Sequence, residues 1–262
     1  VSTLYDRPMR TAALIVAAGR GHRVGAPLPK QYLGLSGVAV LRHAVERFAG
    51  HPGVALVQVV IAEADQALFY AATRGLDLPA PVIGGATRQR SVLNGLEALA
   101  GHGLELVAIH DAARPLVDAG TITRTLEAAA RDGVDGALAA LPVADTLKRG
   151  DDQAMVAATI PRQLLWRAQT PQVFRFDRIL AAHRAVAALG DDEATALTDD
   201  AAVAEKAGYR VALVEGAEPN FKITTTADLA RAERELAPPM ETRTGTAFDV
   251  HAFGPGDSVT LC

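Results

Sequence analysis

The sequence has almost no cysteine and few aromatic residues. Its one cysteine among 262 residues is Cys262, so neither a disulfide framework nor a cysteine-based metal site can form within the chain. Aromatic residues make up 5%, which leaves few side chains for stacking against single-stranded nucleic acid. The sparse cysteine fits a reducing compartment, and we expect a cytoplasmic protein.

Long hydrophobic runs are also missing. The longest, Ala12–Ala18, has seven residues, whereas a helix needs about 20 apolar residues to cross a bilayer. The first ten residues contain Asp6, Arg7 and Pro8 and no apolar segment typical of a secretory leader. We therefore expect no membrane partner. A hydrophobic content of 49% excludes a disordered chain.

Excess positive charge is absent as well. The chain has 26 Lys plus Arg against 30 Asp plus Glu, a net charge of −4. A broad surface that binds nucleic acid is normally basic. We therefore expect no nucleic-acid partner.

Short β-type runs alternate with helical patterns. The continuous apolar run Ala12–Ala17 is typical of a strand buried on both faces, and Val54–Ile61, Pro81–Ile83, Leu104–Ile109 and Val134–Leu141 are further predicted strands. Apolar residues at helical spacing follow each of the first four strands. This alternation predicts an α/β fold with a mostly parallel sheet and helices on both faces.

The alternation breaks between Pro142 and Arg175, which we interpret as an excursion from the sheet, in the form of an extended arm. Helical spacing resumes over Phe176–Leu189, and Thr198–Ala201 has the acidic residues of a helix start. Tyr209–Val214 is a predicted strand. Thr225 with Asp228 has the spacing of a capping box before the last predicted helix.

A glycine loop follows the first predicted strand. Ala17 and Ala18 lead into Gly19 and Gly21, whose backbone N–H groups would be open to phosphate oxygens. The spacing misses the dinucleotide-binding pattern Gly-x-Gly-x-x-Gly, and no helix follows directly, which disfavours a dehydrogenase. Arg20, Arg23 and Lys30 would hold a triphosphate here; the alternative is a solvated loop whose glycines only turn the chain.

Asp111 and Arg114 follow the strand Leu104–Ile109 directly. The carboxyl edge of an open α/β sheet is where ligands bind, and an aspartate there commonly holds Mg²⁺ beside phosphates. Arg114 would pair with a second anionic group through its planar guanidinium. The alternative is a salt bridge at the strand end.

Weaker candidates lie elsewhere along the chain. Gly84 and Gly85, followed by Arg88, Arg90 and Ser91, would contact a phosphate or a base, or would simply begin a helix with solvated arginines. Thr146 and Arg162 lie in the irregular excursion, and Lys222 follows a short apolar step at a predicted strand end. Several cations, a glycine loop and one acid would thus share a sheet edge, without a Ser–His or Cys–His pair. This favours phosphoryl or nucleotidyl transfer over acyl transfer.

Five ordered motifs between about Thr11 and Leu236 resemble the 2-C-methyl-D-erythritol 4-phosphate cytidylyltransferase family. They are Ala17-Ala18-Gly19-x-Gly21-x-Arg23, Pro29-Lys30-Gln31-Tyr32, His110-Asp111-Ala112-Ala113-Arg114-Pro115, Asp145-Thr146-x-Lys148 and Thr170-Pro171-Gln172. The resemblance implies a Rossmann-like nucleotidyltransferase fold with a protruding β-arm. It also implies transfer of CMP from CTP to methylerythritol phosphate in non-mevalonate isoprenoid precursor synthesis.

The resemblance also implies roles for individual residues. Catalytic roles fall to Arg23, Lys30, Arg162 and Lys222, and the nucleotide would be bound by Ala17, Ala18, Gly19, Gly21, Gly84, Gly85 and Ser91, with Asp111 holding Mg²⁺. Arg114, Thr146, Arg162 and Lys222 would surround the methylerythritol phosphate. The arm, about residues 142–175, would exchange between the subunits of a homodimer and bring Arg162 and Thr146 across the interface.

Two positions depart from the family pattern. In Glu218-Pro219-Asn220-Phe221-Lys222 the acid is displaced by one residue, and Ala86 stands where an acid often follows the two glycines. Because the acid is displaced, the sequence does not predict whether it makes the contact with the substrate diol that is usual in the family.

The last residues resemble a second family. Arg243-Thr244-Gly245-x-x-Phe248-Asp249-Val250-His251-Ala252-Phe253 is similar to the start of 2-C-methyl-D-erythritol 2,4-cyclodiphosphate synthase, in which the matching Asp249 and His251 bind a divalent metal, usually zinc. We therefore expect a cytidylyltransferase domain over 1–236, a linker over 237–243 and the start of a synthase domain over 244–262. This would be a bifunctional enzyme seen in part, with an incomplete zinc site.

Two alternatives to the cytidylyltransferase stay open from the residues alone. One is another sugar-phosphate nucleotidyltransferase. The other is a non-catalytic regulator that binds a nucleotide on the same fold.

Overall fold

The computed structural model describes residues 9–19, 28–190, 195–237 and 244–248. Eleven strands are described: β1 (Thr11–Ala17), β2 (Gly34–Leu35), β3 (Val38–Ala39), β4 (Leu56–Ile61), β5 (Val82–Ile83), β6 (Leu106–Asp111), β7 (Gly136–Pro142), β8 (Leu147–Gly150), β9 (Val156–Ile160), β10 (Trp166–Arg175) and β11 (Val211–Glu215).

The described helices follow the predicted alternation. They are α1 (Val40–Ala49), α2 (Gln66–Ala72), α3 (Arg88–Leu99), α4 (Ala119–Ala130), α5 (Phe176–Ala188), α6 (Asp200–Lys206) and α7 (Thr226–Leu236), with 3-10 turns at Lys30–Tyr32 and Glu63–Asp65. Within the described ranges, no helix has both the length and the apolar character needed to cross a membrane.

Seven strands form one central sheet in the order β11-β7-β10-β6-β1-β4-β5. β10 runs antiparallel to both of its neighbours, β6 and β7, and the other pairs are parallel. The predicted α/β fold with a mostly parallel sheet is therefore confirmed.

The sheet is covered on both faces, as the apolar run of β1 predicts. Ala13 and Ile15 pack among side chains from α1, α2 and α4, whereas Ala12 and Leu14 pack on the other face among side chains from α3, α5 and α6. Both sets are fully buried, because successive side chains of a strand point to opposite faces.

The helix starts predicted at Thr198–Ala201 and at Thr225 are both confirmed. The Asp199 side chain accepts from the Ala202 N–H at the start of α6, and Thr225 with Asp228 forms the predicted capping box of α7. α7 packs its buried Ala232 against Leu35 of the β2–β3 hairpin, so the last described helix lies beside the segment that follows Lys30.

The irregular excursion is narrower than the sequence predicts. Trp166–Arg175 is the strand β10, inserted between β6 and β7, and only residues 143–165 leave the sheet. Pro171, a residue that is atypical of a central strand, follows Thr170 through a cis peptide bond at a bulge between Ala168 and Gln172. The protruding part, here called the arm (residues 143–165), contains the antiparallel hairpin β8–β9.

Candidate active site

A cleft of about 620 Å³ opens at the carboxyl edge of the central sheet. β4 and β5 lie on one side of β1 and β6 on the other, so the cleft is at the switch point where open α/β sheets bind ligands. The predicted site residues that line it are Ala17, Ala18, Gly19, Lys30, Gly84, Gly85, Ser91, Asp111 and Lys222.

The end of β1 and the turn that carries Lys30 are joined by Gln31. This buried side chain donates from Nε2 to the carbonyl oxygen of Ala17 at 2.7 Å and lies 3.4 Å from that of Gly19. The 3-10 turn Lys30–Tyr32 thus holds Lys30 beside the start of the glycine loop. Gln31 is a positioning residue; the sequence places it within a motif but predicts no role for it.

The double glycine after β5 allows a close approach to β1. A Cβ atom at Gly84 would lie 2.6 Å from the Cβ of Ala18 and 2.7 Å from the Oγ of Ser91, which is too close for any side chain. The N–H of Gly85 donates to the Ser91 Oγ at 3.0 Å, and that hydroxyl donates to the carbonyl oxygen of Thr87 at 2.9 Å. Ser91 therefore shapes the loop from within the first turn of α3.

Asp111 ends β6 with its carboxylate among three cations. Lys222 Nζ lies 2.8 Å from Oδ2, Arg114 Nε lies 3.7 Å from the same oxygen, and Arg88 Nη2 lies 3.7 Å from Oδ1. Burial alone would raise the pKa of Asp111, but the charges of Lys222, Arg88 and Arg114 hold it well below its usual range. The carboxylate is therefore ionised throughout the neutral pH range.

His110 holds the end of β6 in place and does not face the cleft. The Thr170 hydroxyl lies 2.8 Å from its Nδ1, the carbonyl oxygen of Arg114 lies 3.0 Å from its Nε2, and the Asp111 N–H donates to the same Thr170 hydroxyl at 3.1 Å. Burial lowers the pKa of His110 to about 4, so its ring is neutral at neutral pH.

Arg114 and Lys222 meet through Asn220. The Arg114 Nη1 donates to the carbonyl oxygen of Asn220 at 2.8 Å, and the fully buried Asn220 side chain donates to the carbonyl oxygen of Thr170 at 2.8 Å.

The prediction that Lys222 follows a strand end is wrong, because β11 ends at Glu215. Lys222 reaches Asp111 because Asn220 anchors the loop. Glu218 is exposed and pairs with Arg167 at 2.5 Å.

Thr146 and Arg162 lie on the arm, away from the cleft lining within this chain. The guanidinium of Arg162 donates to the carbonyl oxygen of Ala144, which brings the two predicted residues to the same end of the arm. Gly21 and Arg23 fall in residues 20–27, and Asp249 and His251 fall after residue 248. All four lie outside the described residues.

Asp200 is a site-related residue that sequence reasoning missed. It lies at the start of α6, fully buried, and accepts two hydrogen bonds from Arg88, at 3.0 and 2.6 Å. Burial alone would raise the pKa of Asp200, but Arg88 and His183 lower it to about 2. The sequence carries no signal for this pair, whose members are 112 positions apart.

The cleft fits a hard divalent cation held together with a ligand's phosphates. The part of the chain that the structure describes contains no cluster of three or more His, Cys, Asp or Glu side chains that could hold a metal ion. Asp111 does present an ionised carboxylate to the cleft. Mg²⁺ is usually bound by one or two carboxylates, water and substrate phosphates, so a single carboxylate suits this ion.

A family model described as 2-C-methyl-D-erythritol 4-phosphate cytidylyltransferase matches residues 11–237. Among related proteins, one from Rhodospirillum rubrum named "Bifunctional enzyme IspD/IspF" is 56% identical over 253 residues, which cover 96% of this chain and 64% of that protein. The chain therefore spans less than two thirds of the length of this relative.

Solved structures share the fold. The 4-diphosphocytidyl-2C-methyl-D-erythritol synthase from Anaerococcus prevotii matches with a TM-score of 0.74 and 28% identity, over 87% of this chain and 96% of that one. The 2-C-methyl-D-erythritol 4-phosphate cytidylyltransferase from Thermus thermophilus matches with a TM-score of 0.67 and 36% identity, over 87% and 98%.

Proposed function

The chain belongs to the 2-C-methyl-D-erythritol 4-phosphate cytidylyltransferase family, and from this premise we propose that it transfers CMP from CTP to 2-C-methyl-D-erythritol 4-phosphate. The products are 4-diphosphocytidyl-2-C-methyl-D-erythritol and pyrophosphate, in non-mevalonate isoprenoid precursor synthesis. The observation that carries the proposal is the convergence of Lys30, Lys222, Asp111 and the Gly84–Gly85 turn on one cleft.

The reaction is an in-line displacement at phosphorus. A phosphate oxygen of methylerythritol phosphate forms a bond to the α-phosphorus of CTP, and the bond from that phosphorus to the bridging oxygen of the β-phosphate breaks. Pyrophosphate leaves with the bonding electrons. The attacking group is already an anion, so no side chain has to remove a proton, and positioning with charge stabilisation does most of the work.

Cations at the cleft would perform that stabilisation. Lys30, together with Arg23, would hold the triphosphate, and Gly19 and Gly21 would leave room for its phosphates beside Ala17 and Ala18. Lys222 would hold the attacking phosphate, with Arg114 behind it. Gly84, Gly85 and Ser91 would contact the cytosine and the ribose.

Asp111 would hold Mg²⁺ beside the phosphates of the bound nucleotide. When bound, the ion would neutralise charge on the phosphate oxygens as the leaving group departs. Lys222 and Arg88 keep the Asp111 carboxylate ionised and in place, so the acid is ready before the nucleotide arrives.

A homodimer would complete the site. Arg162 and Thr146 lie on the arm, away from the cleft of their own chain, and the arm exposes large apolar side chains that include Met155, Val156 and Leu164. Exchange of the arm between two subunits would cover these side chains and bring Arg162 to the methylerythritol phosphate of the partner. An exchanged arm would explain why Arg162 and Thr146 do not line the cleft of their own chain.

The full-length protein would carry a second activity. Its chain would consist of a cytidylyltransferase domain over 1–236, a linker over 237–243 and the beginning of a cyclodiphosphate synthase domain over 244–262. The family-model match over residues 11–237 supports the first domain, and the length of the bifunctional relative beyond the matched part supports the presence of a further domain. Asp249 and His251 would be the first two ligands of a divalent metal, zinc, that belongs to this second domain alone.

A pyrophosphate-release assay tests the proposed function. With CTP, Mg²⁺ and methylerythritol phosphate, we expect one pyrophosphate for each cytidine diphosphate alcohol formed. Release with UTP or GTP and a hexose phosphate, but not with CTP, would instead indicate a sugar nucleotidyltransferase. Binding of CTP in calorimetry without any pyrophosphate release would indicate a regulator.

A further inference from the structure

A chain of polar contacts connects the Asp111 carboxylate with a helix outside the cleft. Arg88, the first residue of α3, lies between the two: its Nη2 is 3.7 Å from Asp111 Oδ1 and 2.6 Å from Asp200 Oδ2. Arg88 lines the cleft, whereas Asp200 is fully buried and is not part of the lining. Asp200 therefore has no direct contact with the cleft, and its side chain reaches it through Arg88.

Asp200 is itself held in place from the central sheet. Gln172 of β10 accepts hydrogen bonds from the backbone N–H groups of Asp200, at 3.1 Å, and Ala201, at 2.9 Å. Its Nε2 donates to Asp199 at 2.9 Å. These bonds fix the start of α6, where backbone N–H groups otherwise lack partners.

The same strand also holds Asp111 from behind. Thr170, two residues before Gln172, accepts from the Asp111 N–H at 3.1 Å. Strand β10 therefore holds the backbone of Asp111 directly. It also holds the Asp111 carboxylate indirectly, through α6 and Arg88. Because its backbone and its carboxylate are both held, the Asp111 side chain has little freedom to rotate.

Geometry distinguishes this role from simple charge neutralisation. Lys222 and Arg114 both approach Oδ2 of Asp111, so without Arg88 nothing among the contacts described would hold Oδ1. Arg88 donates one hydrogen bond to Asp200 from each of its two terminal nitrogens, and this pairing fixes the plane of the guanidinium. A lysine would keep the charge at this position but lose that planar pairing.

We propose that Arg88 is a positioning residue for the Asp111 carboxylate and that Asp200 sets the orientation of Arg88 from outside the cleft. The catalytic part of this inference rests on the proposed cytidylyltransferase function. Partners that orient a functional carboxylate from behind typically change activity by about 10–100-fold when they are replaced.

The kinetic test compares Asp200→Asn and Arg88→Lys with Glu97→Gln. Glu97 pairs with Arg184 at 2.7 Å on the exposed side of α3, so this control removes an ion pair from the same helix without reaching the cleft. We expect kcat to fall by about 10–100-fold in both test variants, with the KM for CTP changed by less than about threefold, and neither constant to change in the control. A kcat within about twofold of the wild type in a folded Asp200→Asn variant would overturn the proposal. A raised KM for CTP at unchanged kcat in Arg88→Lys would also overturn it, because this result indicates that Arg88 binds the nucleotide directly.

A crystal structure of Asp200→Asn tests the positioning without any assay of activity. We expect the Asp111 carboxylate to turn away from its wild-type orientation, and an unchanged carboxylate with a displaced Arg88 would overturn the proposal. If Asp200→Asn does not fold, the structure of Arg88→Lys answers the same question, because Arg88 is partly exposed in the cleft. An inactive wild type would count against the proposed function, while the orientation of Asp111 would still decide the inference.

Discussion

Asp111 keeps a full negative charge in a buried position because three cations surround it. A lone buried carboxylate would take up a proton to avoid the cost of burying charge. Here Lys222 at 2.8 Å, with Arg88 and Arg114 farther out, offsets that cost. The cations outnumber the acid, so this part of the cleft remains attractive to a phosphate.

Replacement of Lys30 by alanine tests the proposed triphosphate contact. We expect kcat to fall by about 10²–10³-fold, because the loss of one preorganised cation at a developing charge typically has this effect. The melting temperature should change little, since Lys30 is only half-buried at the edge of the cleft. Steady-state kinetics and thermal unfolding give the two values. Arg47→Ala, on the exposed side of α1, is the control for the loss of a positive charge. Near wild-type turnover of Lys30→Ala would show that Lys30 has no role in the mechanism.

His110 predicts how stability depends on pH. Its pKa is lowered to about 4 in the folded protein, below the ordinary value of 6.5, so between these values the unfolded chain binds a proton that the folded protein does not. The free energy of unfolding should therefore fall as the pH drops from 6.5 to 4, by roughly 3 kcal/mol at about 1.4 kcal/mol for each pH unit. Urea denaturation at a series of pH values measures this slope.

The matching variants for this pH test are His110→Gln and His102→Gln. The first removes the titrating ring and should flatten the slope between pH 6.5 and 4, whereas the exposed His102 should leave it as in the wild type. An equally steep slope in His110→Gln would show that another group dominates. Asp111 and Asp200, whose pKa values are lowered from 3.8, contribute mainly below about pH 4.

Gly84 is the position where one added methyl group should affect the cleft. Its Cβ would lie 2.6 Å from the Ala18 Cβ, so Gly84→Ala has to push the loop after β5 away from β1. We expect kcat/KM for CTP to fall by about tenfold or more, because small displacements of binding groups are costly. Gly34→Ala is the control, since no atom lies within 4 Å of the added Cβ there. Equal kcat/KM values for the two variants would contradict this prediction.

At the scale of elements, the arm and the cleft carry different parts of the proposed machinery. The backbone N–H of Val143 donates to the carbonyl oxygen of Leu165 at 3.0 Å, which closes the base of the arm against the sheet. Beyond this base Leu164 is 94% exposed, an unusual position for a large apolar side chain unless another surface covers it. An arm of this kind suits exchange between subunits.

Mixed dimers test that exchange. Arg162→Met alone should raise the KM for methylerythritol phosphate and lower kcat, while CTP binding by calorimetry stays nearly unchanged. If the arm acts on the partner's cleft, mixing Arg162→Met subunits with Lys30→Ala subunits restores one cleft with both wild-type residues. We expect partial recovery of activity, and no recovery in verified mixed dimers would count against the exchanged arm.

The elements were largely predictable from the sequence, and the contacts between them were not. The apolar run of β1 and the Thr225–Asp228 capping box are local signals, and both are confirmed. Strand β10 escaped prediction because Pro171 is normally incompatible with a central strand, and here a bulge accommodates it. The bond from Gln31 to Ala17 and the pairing of Arg88 with Asp200 depend on how the chain returns to one place, which no short pattern encodes.

At the scale of the whole molecule, the site is assembled between Ala17 and Lys222, and α7 supports it from outside. Glu233 of α7 accepts from the backbone N–H and the hydroxyl of Ser36, both at 2.9 Å, beside the β2–β3 hairpin. The last described residues, 244–248, are exposed, and Phe248 is 98% exposed. Among the described residues, those of α7 are therefore the last along the chain that support the site.

Two shortened chains test this boundary. A chain that ends at Ala237 should release pyrophosphate at the wild-type rate, because α7 and its packing against Leu35 and Ile223 are retained. A chain that ends at Thr225 lacks α7 and should lose both its cooperative thermal transition and its activity. A large loss of activity in the longer of the two would assign a role in catalysis to the residues after Ala237.

The insertion of β10 between β6 and β7 has a consequence for the order of events on the ribosome. Strands β1, β4, β5 and β6 are neighbours in the sheet and can pair as they emerge, but β7 has only β10 and β11 as partners. At about 5–20 residues per second, several seconds pass between the synthesis of β6 and that of β10. During this interval the nascent sheet would have an open edge at β6, and β7 would have no partner strand in the sheet. The arrival of β10, a single antiparallel strand, would then join the two parts of the sheet and place Thr170 against Asp111 in the same step.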